Sequence, residues 1–168
     1  LSAVLADGKF ESTTSVTTNW PWTAVTSQGG TSAWDAASAT SDGTGSIYSN
    51  VSGRNKTHTG YHAQSLATPI PSGKLLDVGM KYQRTVNVGA NFFDLMIEYY
   101  NGASFVYSTT VVSGAANDGS FQTWTDNTYT TTSQVDEVRI YHSMESTADN
   151  AAAVPAACPI ATQSPVTR

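Results

Sequence analysis

Two short stretches carry most of the groups that could do chemistry, "NFFDLMIEYY" at 91–100 and "VDEVRIYHSM" at 135–144. In an extended chain successive side chains face opposite ways. Asp94, Met96, Glu98 and Tyr100 therefore share one face, and Phe93, Leu95, Ile97 and Tyr99 form an apolar face behind them. In the second stretch Glu137, Arg139 and Tyr141 face outward, while Val138, Ile140, His142 and Met144 face inward. A third stretch, "LLDVGMKYQRT", sets apolar Leu76, Val78, Met80 and Tyr82 against Leu75, Asp77, Gly79, Lys81 and Gln83. If the three are neighbours in one sheet, one surface is core and the other is a band of carboxylates, a guanidinium and planar aromatics. A pyranose ring needs that mixture: its C–H face stacks on Tyr or Trp, and its hydroxyls require acceptors and donors. The same band also fits a solvated face whose cross-strand ion pairs are worth ~1 kcal/mol or less each.

Catalytic chemistry finds less support. Glycoside hydrolysis needs carboxyl groups roughly 5–9.5 Å apart, whereas Asp94 and Glu98 on one strand would lie about 13 Å apart at ~3.3 Å per residue. A cross-strand pair such as Asp94 and Glu137 meets the distance, but no sequence feature marks a raised pKa or a closed pocket. His58, His62 and His142 lack metal-ligand spacing with a Cys and read as surface histidines, although strand parity turns His142 inward. No G-x-S-x-G, phosphate loop or Cys/His dyad is present. A non-catalytic protein is expected.

The elements that must position these groups are strands. No dozen-residue window repeats apolar positions at helical spacing without interruption by Gly, Pro or a β-branched cluster. Strands are expected at Gly8–Ser12, Thr18–Thr26, Gly45–Val51, Tyr61–Leu66, Leu75–Val86, Asn91–Tyr100, Phe105–Val112, Phe121–Thr130 and Val135–Met144, separated by turn signals such as "PSG" at 71–73 and "NG" at 101–102. The segment Thr31–Thr44 reads as a long loop anchored by Trp34. Short strands at this spacing predict an all-β sandwich or barrel. At 168 residues the chain is the length of one domain. About a quarter of it is Ser and Thr, with 13 Gly and 8 Tyr, a composition that fits hydroxyl-bearing outer strands and points to a secreted, extracellular protein. With 8 Lys+Arg against 13 Asp+Glu and a net charge of -5, no basic stripe is available, and nucleic acid is not an expected partner. No run of ~18 apolar residues marks a membrane span.

The order of these pieces resembles the jelly-roll carbohydrate-binding modules of the galactose-binding-like superfamily. "DGKFES" is similar to that family's opening strand, followed by "NWPW", by "GTGSIYSN" and by "HAQSLATPIPSGKLLDVGMKYQR". "FFDLMIEYYNGASF" then resembles a strand and hairpin, and "FQTWTDNTYTTTSQVDEVRIYH" the penultimate pair, so the likeness runs from Gly8 to Asn150. It implies a two-sheet antiparallel β-sandwich, the jelly roll, that binds a polysaccharide on a concave sheet face or on loops at one edge. Tyr82, Arg84, Tyr100, Arg139 and Tyr141 are the positions it assigns to that face; Trp22 and Trp34 are expected to be available for stacking, with Trp20 and Trp124 in the core. It also implies a structural Ca²⁺, for which Glu11 and Asp149 are the available side-chain ligands, with main-chain help; the chain departs from the family where "ADNAAAVPA" stands in place of the usual acidic last strand, and Glu11 equally fits a strand-edge charge.

A β-sandwich domain is expected over 1–150, and 151–168 as a Pro/Ala-rich tail, linker or donated strand, since it holds three Pro and one charge. Cys158 is the sole cysteine; it reads as an inert tail residue or as a site of intermolecular pairing. The tail and the apolar "LSAVLA" at 1–6 raise an alternative, in which copies of the chain join into a filament or surface layer by lending terminal strands to one another.

Overall fold

The computed structural model describes residues 23–27, 30–35, 46–52, 56–83, 90–114, 118, 120–146 and 152–153, with side chains for 59–83, 94–114, 118 and 120–144. Its strands are β1 (Thr23–Ser27), β2 (Gly30–Asp35), β3 (Ser46–Ser52), β4 (Lys56–Ile70), β5 (Val78–Tyr82), β6 (Ala90–Asn101), β7 (Ser104–Ser113), β8 (Gln122–Asp126), β9 (Val135–Ser146) and β10 (Ala152–Ala153). All pairings are antiparallel. A five-stranded sheet runs β1-β4-β9-β6-β7; the facing layer is made of a three-stranded piece, β10-β3-β2, and a two-stranded piece, β5-β8. This is the all-β, two-layer sandwich that the alternation and turn spacing predict.

The core forms where the apolar parities of the two layers meet. Leu95, Ile97 and Tyr99 from β6, Val138, Ile140 and Met144 from β9, and Leu66 and Ile70 from β4 pack with Leu76 and Met80 of the opposing layer. Each fully buried aliphatic side chain contributes about 1.5–3 kcal/mol. Trp124 packs against this cluster half-buried, on the core side as expected. His62 and His142 are only 1% and 3% exposed, with ring centroids 5.9 Å apart, and Gln64 is 3% exposed. The surface assignment of these two histidines is therefore corrected: β4 turns His62, Gln64 and Leu66 inward on one parity, and their imidazoles occupy core positions on adjacent strands.

Two further expectations are corrected. Within Thr31–Thr44, Thr31–Asp35 is strand rather than loop, because Ser46–Ser52 offers it a full antiparallel partner, from Gly30 opposite Val51 to Asp35 opposite Ser46; pairing overrides the weak strand propensity of small residues. The third stretch is not a neighbour of the other two: β5 pairs β8 in the facing layer, with Met80 opposite Trp124. Alternation assigns a strand's faces but not its sheet, and Met80 reaches the same core from the opposite side. The chain changes layers at Pro71–Lys74, where Gly73 takes a positive φ of 80°. Buried Thr131 fastens this crossover: its Oγ1 donates to the Pro71 carbonyl at 2.8 Å and accepts from the Lys74 amide at 2.9 Å, while its carbonyl accepts from the Gly73 amide at 2.7 Å. Ala152 and Ala153 of the expected tail pair with Ser52 and Val51 of β3.

Candidate functional site

Register places three rows of side chains across the outward face of β4, β9 and β6. Tyr61, Tyr141 and Met96 are opposite one another; Ala63, Arg139 and Glu98 form the next row; Ser65, Glu137 and Tyr100 the third. The hairpin into β7 adds Phe105 opposite Tyr100. At 56% relative exposure, Phe105 is the exposed large apolar side chain among the described residues.

These groups form one connected strip. The Arg139 guanidinium carbon lies 4.5 Å from the Tyr61 ring centroid and 3.7 Å from that of Tyr100, a stacked cation between two aromatic faces. Arg139 Nε donates to Glu137 Oε1 at 2.5 Å. The Tyr100 hydroxyl donates to Glu98 Oε2 at 3.1 Å, and the Tyr100 ring meets Phe105 edge to face at 5.8 Å. Tyr61, Arg139, Tyr100 and Phe105 thus span four adjacent strands, a reach of roughly 14 Å or more at about 4.8 Å per step. That is longer than a single sugar ring.

The electrostatics follow from this packing. Burial and then the charge and hydrogen bond of Glu98 raise the Tyr100 phenol above its ordinary value. Burial alone would lower the Arg139 guanidinium, but the hydrogen bond and charge of Glu137 outweigh it and hold the group more firmly protonated. The described charges on the face are three carboxylates, Asp94, Glu98 and Glu137, against Arg139, which stacks on the Tyr61 and Tyr100 rings. Asp94 lies further along β6, opposite Ser143 of β9 and Ser113 of β7, with Oδ1 sealed from solvent and making no hydrogen bond among the described residues.

Of the residues expected to bind, the structure brings Glu98, Tyr100, Arg139 and Tyr141 together and puts Asp94 on the same face. Tyr82 is corrected: it belongs to β5 in the facing layer and packs against the core. Trp34 belongs to β2, also in the facing layer, opposite Ile47. Trp22, Arg84, Glu11 and Asp149 lie outside the described residues, as does Cys158. Among the described residues, no three His, Cys, Asp or Glu side chains gather as a metal site.

Tyr61 and Phe105 join the strip without having been expected there. Tyr61 precedes the inward His62, so its parity is hidden by polar residues in the core. Phe105 sits on a strand whose alternation is broken by register shifts near Tyr99/Tyr100 and Leu95/Met96. An aromatic beside the "NG" turn was the one available signal.

No family model matches the sequence, and no curated protein matches it. Solved structures do match in fold. One, a carbohydrate-binding module of the β-sandwich superfamily, aligns with 85% of this chain at a TM-score of 0.51 and 9% identity. Another, the enzymatically active domain of bacteriophage CBA120 tailspike protein 4, aligns with 94% of the chain at 0.52 and 10% identity. The chain spans 58% and 21% of those two proteins. The fold of this chain is the two-sheet antiparallel β-sandwich, the jelly roll.

Proposed function

We propose that this chain is a non-catalytic carbohydrate-binding module of a secreted protein, holding an uncharged polysaccharide across β4, β9, β6 and β7. The observation that carries the reading is the strip Tyr61–Arg139–Tyr100–Phe105, planar groups stacked face to face through Arg139 and edge to face at Phe105 on an outward sheet face. Planar faces accept the C–H surfaces of successive sugar rings, and Glu98, Glu137 and the tyrosine hydroxyls serve ring hydroxyls. The carboxylates already have structural work: Glu98 accepts from Tyr100 and Glu137 from Arg139. That favours holding over cleaving. A polyuronate would meet the carboxylates Asp94, Glu98 and Glu137 against Arg139, which is already paired with Glu137, so like-charge repulsion favours an uncharged chain. The likeness in fold to a carbohydrate-binding module supports the same reading.

Affinity gel electrophoresis against a panel of neutral and acidic polysaccharides tests it. The wild-type protein is expected to be retarded by a neutral glycan, and Tyr100→Ala or Phe105→Ala to lose about 1 kcal/mol of binding each. Retardation by no glycan, or equal retardation of wild type and both variants, contradicts the reading.

A further inference from the structure

We infer that Asp136 is a positioning residue for the proposed glycan strip, clasping the turn that sets Tyr100 and Phe105; the inference rests on the glycan reading and adds a residue to it. The tip of the β6–β7 hairpin is Asn101–Gly102–Ala103–Ser104, with Asn101 opposite Ser104. Gly102 takes a positive φ of 58°, a conformation that suits glycine and turns its amide away from the ladder. That amide donates to both carboxylate oxygens of Asp136, at 2.8 Å to Oδ1 and 3.0 Å to Oδ2. A charged acceptor makes this bond stronger than a neutral one.

The clasp matters because the hairpin is weakly held there. Between Tyr99–Tyr107 and Tyr100–Phe105 the register slips by one residue, which leaves Val106 as a bulge and only two pairs beyond it. Those two pairs carry both aromatics of the strip's far end. Phe105 is exposed, and among the described residues its ring meets that of Tyr100 edge to face. Asp136 lies near the start of β9 beside Glu137, the residue opposite Tyr100 that also binds Arg139. Adjacent residues on one strand thus fix the turn and the cation under Tyr100. Without the carboxylate, the tip is free to pivot about the bulge, and the edge-to-face geometry of Tyr100 and Phe105 is lost while the core is untouched.

The test compares the full chain with Asp136→Ala and Asp136→Asn, reading affinity for the retarding neutral polysaccharide, hydrogen exchange of the Gly102 amide by NMR, and the thermal midpoint. Asp136→Ala is expected to speed Gly102 exchange and weaken binding roughly fivefold with the midpoint unchanged. Asp136→Asn, which keeps an oxygen acceptor, is expected to restore most of both. Equal binding by wild type and Asp136→Ala overturns the inference alone, as does an Asn variant no better than Ala, or a midpoint that falls in step with affinity. A wild-type protein held by no polysaccharide overturns the glycan reading and this inference with it.

Discussion

Arg139 is the centre of the face. Stacked between Tyr61 and Tyr100 and bound through Nε to Glu137, it acts as a planar spacer that turns separate rings into one surface. Tyr100 depends on the same packing, and its phenol is held above the ordinary 10.0 by burial first and by Glu98 second. A folded-state value above the unfolded one means that this contribution to stability is fully present below pH 10 and is lost as pH rises through the raised value. Ultraviolet difference titration of wild type against Tyr100→Phe should assign one phenol that ionises above 10.0. In Glu98→Gln that phenol should titrate earlier; an unchanged titration would show that Glu98 does not act on it. Residue by residue, the outward set on β6 and β9 was legible because two clean parities name it. Tyr61 was not, since buried His62 and Gln64 make the inward parity of β4 look polar.

At the scale of elements, alternation told which way each strand faces but not what it lies beside. Strands β6 and β9 are neighbours, as the site requires; β5 carries an equally regular pattern and sits across the core with β8. Its own parity already turned Tyr82 with Met80 toward the core, where it packs, and only the family resemblance assigned it to the face. Strand β7 shows the opposite difficulty, for its two register shifts scramble the parity that would have named Phe105. The layer change after β4 depends on Thr131, a residue no pattern singled out. Replacing Thr131 with Val keeps the shape but removes the acceptor for the Lys74 amide and the donor to the Pro71 carbonyl. Urea denaturation should show a loss of about 1–3 kcal/mol; a loss near zero would mean that the crossover is fastened elsewhere.

The described residues form a sandwich whose facing layer backs the five-stranded sheet, so that the other face of that sheet is turned outward. A net charge of -5 and a face richer in carboxylates than in cations both oppose polyanions. The fold was legible from strand spacing, turn signals and the scarcity of helical periodicity, because those are local properties. Sheet order was not, because it is decided by contacts far apart in sequence. The most direct test of the account is NMR titration with soluble neutral oligosaccharides cut from the polysaccharide that retards the protein. Shifts should concentrate at Tyr61, Arg139, Tyr141, Tyr100 and Phe105 and leave Lys81, Thr123 and Thr125 of the facing layer unmoved. Shifts confined to β5 and β8, or spread without regard to the strip, would contradict it.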